Sequence, residues 1–322
     1  MPACPPPYRP FRGADPPHFV DRQSEEELST RGIVGACLQV YENGPRDLRF
    51  HRLVAGGPAV GKTTLLRAMC RQVETQLGWA SVLHRCKAKE RAMGSLPAEV
   101  LTSVKQHWKE ARLSDLSNFA NLSNSSSRSK GSLVGSWSSW AQLKTVLEAC
   151  GRAGSTLGRG LLVALDDVDL LSAGEAESFG YLGRRLAFEG LSVALLMSGS
   201  PSLARRFRRS GNFSGTLWAT TLAPFDVGES REAIVVPASE RGVEFEDRAL
   251  ELVCQVAGGS PLEVQRIGFV SWAAAGGREI VGPAEVEAAI GLRSGHAGPG
   301  QVRVVATGPG QLPAGELAAM AQ

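Results

Sequence analysis

The chain has 322 residues, and an apolar share of 43% with a net charge of +3 describes an ordinary globular composition with material for one large or two modest domains. So small a charge over this length argues against a chain-wide electrostatic grip on nucleic acid or on an anionic membrane, although local patches remain open. Cys4, Cys37, Cys70, Cys86, Cys150 and Cys254 are widely scattered without a Cys-x-x-Cys pair, which signals neither a zinc site nor a disulfide framework. No apolar run reaches the length of a membrane span and no apolar signal core opens the chain, so no membrane partner and a cytoplasmic address are expected.

Residues 1–17 are too rich in proline to pack regularly and read as a disordered arm. A helix follows, with Ser24 as its cap, Glu27 at the capping-box position and Asn43-Gly44 marking its end. "LRFHRLVA", residues 48–55, is a short strand-like run that leads into "GGPAVGKTTLL". The spacing Gly56-x-x-x-x-Gly61-Lys62-Thr63 is that of a loop that cradles phosphates. Its glycines let backbone N–H groups turn inward, Lys62 reaches the β- and γ-phosphate oxygens, and the Thr63 hydroxyl is placed to ligate Mg2+. Gly56, Gly57, Pro58, Ala59, Val60, Gly61, Lys62, Thr63 and Thr64 are therefore the candidate nucleotide contacts. Leu65, Leu66, Met69, Val73 and Leu77 then recur at helical spacing, and such a helix adds its positive N-terminal end to the loop.

"WASVLHRCKA" reads as a second strand and "LPAEVLTSVKQHW" as a second helix with Pro97 in its first turn. Between residues 114 and 139 the composition turns serine-rich, predicting a surface loop or insert. The helix "WAQLKTVLEAC" returns the chain to "GRGLLVALDDVDLL", a continuous apolar run ending in acids, as in a parallel strand covered on both faces. A helical segment from Glu175 to Phe188, the buried run "LSVALLMSGS", the basic segment "LARRFRRSG" and a last strand "TLWATTLAPF" complete an alternating pattern. From Asp226 onward the pattern is helical only. Ala249, Leu250, Val253, Val256 and Ala257 share one face, and Gly-x-Pro and Gly-Pro punctuate two more helices. The expected architecture is a three-layer α/β P-loop domain with a mainly parallel sheet over residues 18–225 and a small all-helical lid over 226–293. A weakly ordered Gly/Pro/Ala-rich tail over 294–322 completes it.

A phosphate loop needs an acid on a neighbouring strand, and "LLVALDDVD" supplies it. Asp166 at the strand end is the candidate for the Mg2+ shell and Asp167 for polarising the attacking water, while the plain alternative for either acid is a helix N-cap. Asp169 is expected to cap a turn. Ser198 or Ser200 either places a hydroxyl near the γ-phosphate or is a turn serine. Arg205, Arg206, Arg208 and Arg209 form a solvated face, an arginine finger for a neighbouring subunit, or a nucleic-acid patch.

In that order "HFVDRQSEEEL", "GGPAVGKTTLL", "LLVALDDVDLL", "VALLMSGSP" and the stretch from "LAPFDVGESREAIVV" to "GGSPLEVQRIGFVSW" resemble the bacterial AAA-type ATPase domains of the origin-recognition-like branch, which borders the signal-transducing STAND ATPases. The resemblance covers roughly residues 18–293. It implies that the segment around Phe19, Val20 and Arg22 lies against the adenine, that Pro261 meets base or ribose, and that Arg266 is the lid's catalytic cation beside Lys62 and Asp167. Relatives commonly have glycine where Asp21 stands and glutamate at the second acid, where Asp167 is shorter. The expected function is an ATP-binding, Mg2+-dependent ATP-hydrolysing module that drives or gates an unidentified protein partner, with a homo-oligomer as one form. The rival is a slow-hydrolysing STAND-like switch, and a small-molecule kinase is disfavoured because no acceptor pocket can be recognised. An initiator of this branch is expected to carry a winged-helix domain after the lid, so sequence-specific DNA binding by this chain alone is not expected.

Overall fold

The computed structural model describes residues 5–10, 15–22, 32–43, 51–87, 94–108, 134–210 and 217–293. They divide into two compact units, one within residues 21–58 and 62–223 and the other within 1–20, 59–61 and 224–322. The expected Ser24 cap, Glu27 capping-box position, 294–322 tail and most of the serine-rich stretch lie outside the described residues.

The first unit is a parallel sheet with flanking helices. In chain order it holds α1 (Gly32–Glu42), β1 (His51–Ala55), α2 (Lys62–Leu77), β2 (Ala80–Arg85), α3 (Leu96–His107), α4 (Val134–Leu157), β3 (Leu161–Asp166), α5 (Ala173–Phe188), β4 (Val193–Gly199), α6 (Pro201–Ser210) and β5 (Leu217–Thr221). The strands are ordered β2-β3-β4-β1-β5. Every pairing is parallel, with Arg85 opposite Asp166, Leu165 opposite Met197, and Ala55 opposite both Gly199 and Thr221. All strands therefore end at one edge of the sheet, where the loops that follow them meet, and open α/β sheets bind their ligands at such an edge.

The residue types account for the burial. β3 and β4 are buried along their whole length, as apolar runs between helix layers must be. β1 is buried too, although it begins with His51 and Arg52. His51 is satisfied on both sides: its Nδ1 accepts the Leu195 N–H at 3.0 Å and its Nε2–H donates to the Gly183 carbonyl at 2.6 Å. Burial holds this imidazole neutral, pushing its pKa down to about 4. The Arg52 guanidinium lies 5.3 Å from the Trp218 ring centroid.

One expectation changes here. The stretch 114–139, read as a loop, is already helical from Val134, so α4 begins before Trp140. Serine is tolerated near a helix start, and Leu143, Val146, Leu147 and Cys150 supply the buried stripe that carries the helix onward.

The second unit comprises α7 (Val227–Ser239), α8 (Asp247–Ala257), α9 (Pro261–Ala275) and α10 (Pro283–Arg293), around a core that includes Ile234, Leu250, Val253, Val264, Ile267 and Trp272. α7 starts in a capping box between Asp226 and Glu229, and α8 and α9 end in left-handed Gly258 and Gly276. A short parallel pair joins β6 (Glu244–Phe245) to β7 (Ile280–Val281) among these helices. Two-residue strands leave no alternation to read, which is why the pattern showed helices alone. Residues 5–10 also depart from the expected disordered arm. Pro7, Tyr8 and Pro10 are buried, with Tyr8 and Val20 in this unit's core.

Candidate functional site

The edge at the strand ends gathers the predicted polar residues of the first unit. Ala55 ends β1, and the Gly56 N–H donates to the Gly199 carbonyl at 3.0 Å, so the phosphate-type loop leaves the sheet beside the end of β4. Ala59 has φ 59° and Gly61 φ 93°. Positive φ at alternate residues is the backbone form that lets successive N–H groups converge on an anion, and the value at Gly61 strains any residue with a side chain. Lys62 opens α2, and its Nζ donates to the carbonyls of Gly56 at 3.0 Å and Gly57 at 2.6 Å, which keeps the ammonium at the loop.

Asp166 is the centre of the arrangement. It is 1% exposed, and each oxygen has a partner: Thr63 Oγ1 donates to Oδ2 at 2.7 Å and Ser198 Oγ donates to Oδ1 at 2.5 Å. A buried carboxylate is tolerated only when hydrogen bonds replace its water, and here both come from residues on neighbouring elements. Ser198 also accepts the Asp167 N–H at 3.0 Å. It lies within β4 and is fully buried, so it is not a turn serine; its contacts are the acid pair, which it holds in place.

Asp167 leaves the strand in a left-handed conformation, φ 57° and ψ 45°, which Asp accepts better than most residues. Its side chain makes no cap hydrogen bond, in contrast to the N-cap alternative; instead Oδ2 accepts from Arg85 Nε at 3.2 Å. Arg85 ends β2 directly opposite Asp166, a position sequence reasoning did not single out. Negative charge is concentrated here: burial first, then Asp166, Asp167 and Glu175, push the Cys86 thiol up to about 12.

The remaining candidates are placed elsewhere. Asp169 accepts the Ser200 N–H and hydroxyl at 2.5 and 2.7 Å, and Ser200 in turn accepts the Leu203 N–H at the start of α6, so this pair builds a turn. On α6, Leu203, Ala204 and Phe207 are buried while Arg205, Arg206, Arg208 and Arg209 are exposed, an amphipathic helix with its cations outward. Asp21 caps α1, accepting the N–H groups of Val34 and Gly35 at 3.0 and 3.2 Å, which gives the departure from glycine a structural role. Arg22 is buried and donates to the Ala223 carbonyl. In the second unit Pro261 begins α9 and Arg266 pairs with Glu263 at 3.0 Å.

The donor set suits a hard cation that keeps most of its own water. Among the described residues no group of three or more His, Cys, Asp and Glu is arranged to hold a metal ion, while Thr63 and Asp166 offer a hydroxyl and a carboxylate beside a phosphate-type loop. Among the described residues, no helix is long and apolar enough to cross a membrane.

Comparison with known proteins agrees with this fold. Residues 46–196 match the family model of an AAA ATPase domain. No curated protein matches the sequence. Among solved structures, Cdc6p from Pyrobaculum aerophilum is similar at 16% identity and TM-score 0.54, over 84% of this chain and 69% of that one. The Orc1 protein from Aeropyrum pernix, solved in complex with DNA, is similar at 15% and 0.51, over 84% and 66%. A RuvB variant from Thermotoga maritima is similar at 16% and 0.51, over 86% and 74%. The chain spans about two thirds of the length of the first two, and at these identities the likeness is one of fold.

Proposed function

We propose that this chain, whose residues 46–196 match the model of an AAA ATPase domain, binds ATP at Gly56–Thr64 and hydrolyses it to ADP and phosphate. The observation that carries this reading is the Thr63–Asp166–Ser198 network around the buried Asp166 carboxylate, at the start of α2. Thr63 and Asp166 would hold Mg2+, which would supply positive charge to offset that of the phosphates. Ser198 occupies one carboxylate oxygen and so fixes which way Asp166 faces. Lys62 and the first N–H groups of α2 bind the β- and γ-phosphates, with most of the effect coming from charge placed in advance where it develops in the transition state. Asp167 orients the attacking water and takes its proton as the new P–O bond forms and the bond to the ADP oxygen breaks. Mg2+-dependent phosphate release, abolished by Asp166→Ala in a variant that keeps its circular dichroism, tests the reading; undiminished release overturns it.

A second reading rests on the Arg85–Asp167 pair, which engages the shorter acid with a cation. In it the module binds ATP at a single site, turns it over slowly and signals the bound state to a protein partner. Stoichiometric ATP binding with negligible steady-state turnover distinguishes it from the first.

A further inference from the structure

Residues 5–10, Pro-Pro-Pro-Tyr-Arg-Pro, lie in the second unit as a segment without helix or strand that bends at Pro7. Four of the six are prolines, which have fixed φ and no N–H, so such a segment gives up little entropy on docking and few donors need partners. Pro7 and Pro10 are both buried with Tyr8, while Arg9 between them is exposed. That pattern of burial shows which side of the segment is docked.

The surface beneath is built to receive this segment. Tyr8 is 2% exposed, and its ring meets Phe245 and Trp272 edge-on, with centroids at 6.4 and 6.1 Å. Gly268 forms the floor. A Cβ there would come within 2.8 Å of the Ile234 side chain and 3.2 Å of the Tyr8 ring, so the floor has no room for a side chain. The Tyr8 hydroxyl donates to the Ile234 carbonyl at 2.9 Å.

The backbone is recognised through an unusual feature of α7. Pro237 sits inside that helix and has no N–H, so the Ala233 carbonyl one turn earlier lacks its usual helical donor. Gln265 Nε2 donates to that carbonyl at 3.5 Å, and this fixes the amide so that its Oε1 faces the segment and accepts the Arg9 N–H at 3.2 Å. The Arg9 N–H is thus read by a glutamine whose orientation is set by a proline in another helix.

We propose that this groove of Tyr8-ring, Gln265 and Gly268 contacts is a peptide-recognition site for a tyrosine flanked by prolines, and that residues 5–10 are its in-chain ligand. The inference does not rest on the nucleotide reading and is tested without it. The variant lacking residues 1–10 is titrated with a fluorescein-labelled Pro-Pro-Pro-Tyr-Arg-Pro peptide and followed by anisotropy. Saturable binding to the truncated chain is expected, with the full chain binding at least ~10-fold more weakly because its own segment fills the groove. A peptide with phenylalanine for tyrosine should bind ~10-fold more weakly, the effect of one buried hydrogen bond. If the truncated chain is unfolded alone, folding on addition of the peptide supports the site and failure to fold with it overturns the proposal. Absent or non-saturable binding to a folded truncated chain overturns it, as do equal affinity of the full and truncated chains and equal affinity of the tyrosine and phenylalanine peptides.

Discussion

The strand-end acids of the first unit and the Tyr8 groove of the second are both buried polar arrangements, but they are assembled differently. Asp166 is met by Thr63 and Ser198, residues that the parallel ladder and the loop after β1 deliver to one edge. Tyr8 and Arg9 are met by a helix carbonyl and a glutamine more than two hundred residues away in sequence. A sheet edge collects charged and hydroxylic groups at regular spacing where a ligand can enter, so its hydrogen bonds preorganise chemistry. The groove directs its polar groups at a chain segment. The difference teaches that satisfied buried polar groups mark a reactive site only when they leave charge facing an open edge.

The largest effect that would sharpen this contrast is on turnover. Asp167→Asn keeps a residue that tolerates the left-handed conformation but removes the carboxylate proposed to orient water, so hydrolysis should fall ~10²-fold or more with ATP affinity unchanged. Steady-state phosphate release beside calorimetry checks both halves. Undiminished turnover would reduce Asp167 to a partner of Arg85.

Next in size is the response of the first unit to acid. The His51 imidazole titrates near 6.5 when unfolded and about 4 when folded, so between those values the unfolded chain binds the proton preferentially. Its contribution is complete above about pH 6.5 and is lost as pH falls toward 4, a change of order 3 kcal/mol. Urea unfolding at pH 7 and pH 4.5 should show the loss in the native chain and a smaller one in His51→Gln. An identical pH slope in the two proteins would contradict the buried neutral assignment.

The smallest effect belongs to the groove. Tyr8→Phe removes one hydroxyl from the Ile234 carbonyl and should lower the second unit's stability by about 1 kcal/mol. Hydrogen exchange should quicken in α7 and α9 and stay unchanged in β3 and β4; uniform change through both units would erase the distinction between them.

These regions also differ in how far their structure could be read beforehand. The loop at Gly56–Thr63 and the acids after "LLVAL" are contiguous runs whose chemistry depends on neighbours in sequence, and both elements lie where the pattern places them. Ser198 remained one of two serines because its partner depends on β3 lying beside β4. Arg85 left no signal at all, since it meets Asp167 only through the register that puts it opposite Asp166. Prolines at 5–7 and 10 correctly spoke against helix and strand, but irregular backbone was mistaken for lack of packing. What buries that segment is Gly268 and the carbonyl freed by Pro237, far along the chain. Local motifs carry their own geometry, whereas seats formed by distant segments exist only once the fold does.

The central claim is that Gly56–Thr64 with Asp166 forms a working nucleotide site, and calorimetric titration of the full chain with ATP and Mg2+ tests it most directly. The account predicts saturable binding at one site per chain, weakened ~10²-fold or more in Lys62→Ala, where the ammonium now held at the Gly56 and Gly57 carbonyls is lost to the phosphates. Equal ATP affinity in the native chain and a folded Lys62→Ala variant would contradict it.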